Sequence, residues 1–332
     1  MPAARAALAP LRDPFLWGMV AAVVLALLFP GLGRADGPLH AELLANVGIA
    51  IIFLLHGIGL EPKRLASAAL QLRLHLLVQV FTFGVFPLLW FLSDSALGGL
   101  VPPELRLGFL FLCALPSTVS SSVALTGVAK GNVPGAIWNA SLSSVLGVVL
   151  TPLIVRLFGD GSTGSLPLGP AIVHLAGLTL LPLLVGQLLR PVLGDKRAPL
   201  VRMTHGADRL VILLLVFVAF AESVVAGVFA KVGPVLLLAC GAGVAALLAT
   251  VLSLTTLSAR RLKFSREDEI VAVFCGSKKT LASGIPIAGI LFGASAELGL
   301  IVLPLILYHQ LQLMVCAVLA ARYADRAPAV RS

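Results

Sequence analysis

The sequence predicts an all-α polytopic membrane protein of ten transmembrane helices, arranged as two inverted repeats of five. Of its 332 residues, 59% are hydrophobic and only 12% are charged. A soluble domain is nearer half apolar and a quarter charged, so the lipid bilayer is the expected solvent. Polar stretches also interrupt two apolar segments that lie five segments apart, a pattern typical of inverted repeats.

Apolar segments of about 20 residues, bounded by charges, glycines and prolines, give the predicted spans. Spans 1 to 10 are residues 14–32, 39–60, 72–92, 104–129, 132–156, 170–190, 208–230, 233–257, 267–293 and 298–321. The first is expected to be a retained helix, because its apolar run is longer than that of a signal peptide. The spans form one membrane domain (1–332), with repeat one at 14–158 and repeat two at 170–323. The longest polar connection, 190–209, is predicted to be a short cytoplasmic linker.

Loops with many lysines and arginines alternate with loops that have few, and this alternation orients the spans. If both termini and the even-numbered loops are cytoplasmic, 18 of the 24 lie on that side and 4 on the other. This asymmetry follows the positive-inside rule. The remaining two, Lys278 and Lys279, fall inside span 9. The net charge of +9 therefore reflects membrane topology and not nucleic-acid binding, which the scarcity of aromatic residues among the cations also disfavours.

An internal repeat relates span 4 to span 9 at an offset of 162 residues. The segment CALPSTVSSSVALTG (113–127) aligns with CGSKKTLASGIPIAG (275–289), with identities at four of the 15 positions. Both segments are polar patches, containing proline and glycine, inside apolar spans. Since each half contains an odd number of spans, the two halves are expected to have opposite orientations in the membrane.

Pro116 and Pro286 indicate where the helices of spans 4 and 9 are expected to break. A break leaves backbone groups without partners, which lipid penalises by several kcal/mol each, so the breaks are expected to face a cavity or a ligand. The helix N-termini at such a break attract an anion, and the C-terminal carbonyls hold a cation. The alternative is that both prolines only kink continuous helices, while Ser and Thr side chains bond to the freed carbonyls.

The runs LPSTVSSSVALTGVAKGNVPGAIWNASLSSVLGVVLTPLIV and VAVFCGSKKTLASGIPIAGILFG resemble the bile acid:sodium symporter family, in a divergent branch with bacterial members. FLLHGIGLEPKRL in span 2 and FAESVVAGVF in span 7 resemble it as well. The resemblance implies two discontinuous helices that cross near the membrane midplane. It also implies a panel subdomain of spans 1, 2, 6 and 7, which moves against a core subdomain of the other six spans. We expect an integral protein of the bacterial inner membrane with both termini in the cytoplasm.

The same resemblance implies that substrate and coupling ions bind around the two breaks. The candidate binding residues are Gln79, Ser117, Thr118, Ser120, Ser121, Ser122, Asn139, Ser143, Glu222, Lys278, Lys279, Thr280, Ser283 and His309. A sodium ion, as the coupling ion, is expected at Ser121, Ser122, Asn139 and Ser143, and no other cofactor is expected. Phe274 and Lys278 stand where the family has a Glu and a Gln, which puts a second sodium site in question.

The adjacent lysines of span 9 have two interpretations. A lysine in the middle of the bilayer costs about 2.5–3.5 kcal/mol on insertion scales, so some interaction must offset that cost. One lysine could pair with Glu222, the only carboxylate well inside a span, while the other stays neutral. Alternatively, one lysine replaces a sodium ion at the helix crossing while its neighbour, about 100° around the helix, faces the cleft and attracts an anionic substrate. In the second case Glu222 could act as a gate.

These features predict a secondary active transporter that moves an organic anion or amphipathic solute by alternating access, coupled to sodium or protons. The expected partners are that small solute and the lipid bilayer, without nucleic acid. Cation/proton exchange and a membrane-embedded regulator with little transport are the alternatives. The chain contains no phosphate-binding loop, zinc motif or nucleophile elbow, so neither ATP-driven transport nor enzymatic activity is expected.

Overall fold

The computed structural model describes residues 14–33, 37–59, 69–159, 168–225, 233–292 and 297–325, and in these ranges every regular element is helical. The α-helices are numbered here in chain order. They are α1 Pro14–Leu28, α2 Ala41–Gly59, α3 Leu72–Val80, α4 Phe86–Leu97, α5 Pro103–Ala114, α6 Ser120–Val128, α7 Val133–Phe158, α8 Leu168–Leu175, α9 Leu181–Leu193, α10 Arg197–Val225, α11 Pro234–Arg261, α12 Arg266–Gly276, α13 Leu281–Phe292 and α14 Leu298–Asp325. π-helical segments join α3 to α4 at Phe81–Val85 and α8 to α9 at Ala176–Leu180.

Six helical segments in the described ranges are long and apolar enough to cross a membrane. They coincide with predicted spans 3, 5, 6, 8, 9 and 10, and shorter apolar helices lie in spans 1, 2 and 7. The part of the chain that the structure describes is therefore all-helical, and its helices are consistent with a polytopic membrane protein. The count of ten spans and their inverted-repeat arrangement stay predictions.

Both expected helix breaks are present. In span 4, residues 115–119 separate α5 from α6, and in span 9, residues 277–280 separate α12 from α13. Pro116 lies in the first break, as expected. Pro286 instead lies inside α13, so the prediction that this proline marks the second break was wrong. Helix α12 ends at Gly276, before the proline, because polar groups of residues 277–280 bond to residues outside span 9, as described below.

The predicted linker at 190–209 is largely helical. Helix α9 continues to Leu193, and α10 already begins at Arg197, so only the 3-10 turn Gly194–Lys196 lies between them. Gly194 has φ of +48°, a left-handed conformation that glycine tolerates without strain. Pro199 lies in the first turn of α10, where the missing N–H would have no helical partner in any case.

The helices pack in two groups. Helix α2 packs against α9 and α10, and α10 also packs against α1; in the second group, α14 packs against α5, α6, α11 and α13. Helix α10 touches α13 and α14 and so connects the groups. The division of the spans into panel and core subdomains, and their independent movement, stay predictions.

Two glycines set the close approach of α2 and α9. A Cβ atom built on Gly57 would lie 2.1 Å from the carbonyl oxygen of Leu183, and one on Gly186 would lie 2.2 Å from that of Leu54. The obstacles are backbone atoms, which cannot rotate away as a side chain can. Only glycine therefore allows the two backbones to approach this closely, as small residues do at many membrane helix contacts.

We expect Gly57→Ala to lower the midpoint of thermal unfolding in detergent. The added methyl group forces α2 and α9 apart, and overpacking of this kind costs about 1–3 kcal/mol. Gly206→Ala in α10 is the matched control, because a Cβ there meets nothing within 4 Å. It should leave the midpoint unchanged or raise it slightly, since alanine favours helix more than glycine. Equal midpoints for the two variants would contradict the assigned contact.

Candidate functional site

The two breaks lie against each other, and each holds the open end of the other's helix. The hydroxyl group of Ser117 in the first break donates to the carbonyl oxygen of Cys275 in α12 at 2.7 Å. Ser122 donates to the carbonyl oxygen of Phe274 at 3.0 Å. These are carbonyls in the last turn of α12, which have no partner within their own helix. The backbone N–H of Thr280 also donates to the carbonyl oxygen of Pro116 at 3.1 Å.

Lys279 performs the same task for the C-terminal end of α5. Its ammonium group donates to the carbonyl oxygens of Cys113 at 2.7 Å, Leu115 at 2.6 Å and Thr82 at 2.8 Å. An ammonium group has three N–H donors, so these three oxygens match it fully. The ammonium nitrogen also lies 4.0 Å from the centroid of the Phe86 ring, within the range of a cation–π contact. The side chain is fully buried.

The two sets of contacts have the same relation in the internal repeat. Ser117 and Lys279 are separated by the offset of 162, as are Cys113 and Cys275. Ser117 donates to the carbonyl of Cys275, and Lys279 donates to the carbonyl of Cys113. In both cases the acceptor is the repeat equivalent of the residue four positions before the donor. A side-chain amide fixes the second break from behind, because Gln312 accepts from the N–H of Lys279 at 2.9 Å and donates to its carbonyl at 2.8 Å.

Lys278 is also fully buried, but its environment differs from that of its neighbour. Its ammonium group donates to the carbonyl oxygen of Ser121 at 3.0 Å, in the first turn of α6. The nitrogen lies 5.5 Å from the centroid of the Phe274 ring. Neither lysine lines the cavity described next. The hypothesis that one lysine faces the cleft therefore differs from this structure, because backbone carbonyls at the breaks take up both ammonium groups.

A cavity of about 420 Å³ opens between the two helix groups. Phe15 of α1, His56 of α2 and Arg209 of α10 line one side. The other side consists of the N-terminal half of α6, the first turn of α13, Ser144 of α7 and part of α14. The remaining walls are mainly apolar, and the volume is in the range of small-molecule sites.

The charges around this cavity favour an anion. Among the lining residues that the structure describes, Arg209 has the one permanent charge and none is an Asp or Glu. Its guanidinium group lies 5.5 Å from the centroid of the Phe15 ring. Opposite it, the N-termini of α6 and α13 open into the cavity. At α13, Thr280 accepts a 3.3 Å bond from the N–H of Ser283, as an N-cap residue does. The positive dipole ends of two helices thus face an arginine across the cavity.

The predicted site residues divide into two sets. Six line the cavity: Thr118, Ser120, Ser121, Thr280, Ser283 and His309. Seven lie away from its walls, where their described contacts join the helices around the breaks: Gln79, Ser117, Ser122, Asn139, Ser143, Lys278 and Lys279. Glu222 belongs to α10, but its side chain is outside the described part of the structure. Sequence reasoning missed Arg209, which it counted as a loop cation, and Phe15. The packing of α10 and α1 beside the breaks brings both residues to the cavity.

The four predicted sodium ligands do not form one cluster of free oxygen atoms. Ser122 bonds to the second break, and the hydroxyl oxygen of Ser143 accepts from the N–H of Ser117 at 2.9 Å. The side-chain oxygen of Asn139 is buried without a hydrogen-bond partner, and so is that of Gln79. The amide of Gln79 donates to the backbone carbonyl of Asn139 at 3.1 Å, which brings these two residues together. Unpartnered buried oxygens are the feature expected of a hard-cation site.

The sequence is similar to known transporters over nearly its whole length. Residues 13–325 match the model of the SBF-like CPA transporter family. The chain is 46% identical to protein PA2026 of Pseudomonas aeruginosa, over 95% of this chain and 94% of that protein. It is 44% identical to YfeH of Escherichia coli, over 94% and 92% of the two chains. It is 32% identical to sodium/bile acid cotransporter 7 of Danio rerio, over 93% and 92%. The chain belongs to the SBF-like CPA transporter family.

Proposed function

We propose that this protein is a secondary active transporter that moves an organic anion with an apolar body across the bacterial inner membrane. One observation carries the proposal: a largely apolar cavity has Arg209 on one side and the N-termini of two broken helices on the other. An anionic group can bind between these positive ends while the apolar walls hold the rest of the solute. The relative named as a sodium/bile acid cotransporter supports this class of substrate.

Transport proceeds by alternating access between the two helix groups. The cavity contacts α1, α2 and α10 on one side and α6, α13 and α14 on the other, so a bound solute bridges the two groups. Phe15, His56 and Arg209 lie at the ends of their spans that the charge pattern assigns to the cytoplasm. The cavity in this conformation is therefore the inward-facing form of the site.

Lys279 acts as a fixed cation at the breaks and takes the place of one coupling ion. Three carbonyl oxygens at 2.6–2.8 Å from a single nitrogen form a shell that a small monovalent cation could also occupy. The ammonium group fills that shell as part of the chain and cannot leave with the solute. A coupling ion therefore binds elsewhere, and the unpartnered oxygens of Asn139 and Gln79 support a sodium ion beside α7.

The purified protein in liposomes should accumulate a labelled organic anion by counterflow, and an inward sodium gradient should increase the uptake. Carboxylates and sulfonates of graded apolar size are the first solutes to test. Uptake driven by a pH gradient alone would assign the coupling to protons. A response to pH without any organic solute would indicate cation exchange, and no uptake of any solute would favour a regulatory protein.

We expect Arg209→Gln to raise the apparent KM for the anion by about 10- to 100-fold, because a hydrogen bond to a charged group contributes about 1.5–3 kcal/mol. The maximal rate should change less, and Arg209→Lys should recover part of the affinity. Arg202→Gln is the matched control, since Arg202 is an exposed cation two turns earlier on the same helix. Equal KM values for Arg209→Gln and Arg202→Gln would exclude Arg209 from the anion site.

Lys279→Ala should strongly destabilise the protein, and ammonium ions should restore part of the loss. The substitution leaves three buried carbonyls without their donor, at about 1–3 kcal/mol each. The readout is the thermal unfolding midpoint at matched ionic strength, with ammonium chloride compared with tetramethylammonium chloride, whose cation lacks N–H donors. The exposed Lys196→Ala serves as the control. A midpoint that responds to both salts equally would argue against a fixed-cation site.

A further inference from the structure

A second cavity lies on another side of the breaks, between α4, α5 and α11. Its volume is about 430 Å³, and it shares no lining residue with the first cavity. On α11 its walls extend from Leu236 to Thr250, which corresponds to about 21 Å along a helix. The cavity is therefore a long, narrow slot parallel to the helices. That shape suits one extended hydrocarbon chain better than a compact solute.

The slot exists because small residues of α11 face the other two helices. Ala239, Gly243 and Ala246 line it; a Cβ atom on Gly243 would lie 3.1 Å from Phe109, and the alanine side chains reach no further than their Cβ atoms. Ala239 and Ala246 are exposed, and the neighbouring Val235 and Leu238 are 79% and 76% exposed. In a membrane protein this surface faces lipid, so the slot opens sideways to the bilayer. Its occupant comes from the lipid phase.

One end of the slot is polar and has no excess of positive charge. Arg106 and Asp94 line that end and form a bidentate ion pair, with both N–O distances at 2.7 Å. Each side chain is partly exposed, so a headgroup can reach it. Glu104 and Glu297 line a neighbouring pocket together with Arg106, so this end gives no advantage to an anionic headgroup. It matches a zwitterionic headgroup, whose phosphate and ammonium groups can approach the guanidinium and the carboxylate respectively.

We propose that the slot binds one acyl chain of a zwitterionic phospholipid, with the headgroup at the Asp94–Arg106 pair. The other end of the slot reaches Cys113, whose carbonyl oxygen accepts from the ammonium group of Lys279. A bound chain therefore packs against the C-terminal end of α5 and stabilises the first break. The charge pattern assigns the loop between α4 and α5 to the outer side, so the lipid belongs to the outer leaflet.

Trp90 provides a direct probe, because it lines the slot and is only 8% exposed. The chain contains three tryptophans, so Trp17→Phe with Trp138→Phe leaves Trp90 as the single fluorophore. This variant is reconstituted with phosphatidylethanolamine or phosphatidylglycerol that carries brominated acyl chains. Quenching of Trp90 should saturate at a low mole fraction of brominated phosphatidylethanolamine and should need more of the anionic lipid.

A substitution that fills the slot with a larger side chain distinguishes binding of lipid in the slot from general contact of lipid with the protein surface. Ala246→Phe should remove the saturable quenching, whereas Ala245→Phe should retain it, because Ala245 is an exposed neighbour that does not line the slot. Quenching that is equal for both lipids, or that Ala246→Phe leaves unchanged, would overturn the proposal.

A second measurement uses the protein with all three tryptophans in place. Native mass spectrometry should detect one retained phosphatidylethanolamine, which is lost in Ala246→Phe and kept in Ala245→Phe. Failure to retain it, or equal retention in both variants, would also overturn the proposal. Neither readout depends on transport.

Discussion

The structure depends on the bond between one buried ammonium group and three backbone carbonyls. A lysine inside a membrane is costly, and so is a helix end whose carbonyls have no partner. The ammonium group of Lys279 donates to the carbonyl oxygens of Thr82, Cys113 and Leu115. The same three bonds therefore offset the cost of the buried ammonium group and the cost of the unpaired carbonyls. Neither the broken helix nor the buried charge would be stable alone. This mutual requirement explains why a very apolar segment contains a cation.

The breaks also divide the molecule into a fixed region and an open region. Behind the breaks, Ser117 and Ser122 hold the C-terminal end of α12, and Gln312 holds the backbone of the second break, through bonds of 2.7–3.0 Å. In front of them, the N-termini of α6 and α13 face a cavity. The polarity of the helix explains this division: C-terminal carbonyls bind the protein's own donors, and the positive ends of the helix dipoles point toward the cavity.

Sequence reasoning identified the elements of the site better than their arrangement. The positions of both breaks in spans 4 and 9 follow from polar residues inside apolar runs, and the structure contains them. The role of Pro286 was predicted wrongly, because a proline is tolerated within a helix when neighbouring groups compensate. The cavity-facing lysine was not found either: residue type and depth do not reveal which carbonyls lie within reach of a flexible side chain. Arg209 escaped notice because its partners are distant in the chain.

The sequence by itself determined the membrane as solvent, the helical class, the broken spans and the presence of two buried cations, since composition and hydrophobic runs are local properties. Tertiary structure alone decided what these residues contact. It placed Lys279 behind the cavity instead of in it, brought Arg209 to face the helix N-termini, and left a slot beside α11. Those outcomes depend on how helices far apart in the chain pack, and no local pattern records the distance between them.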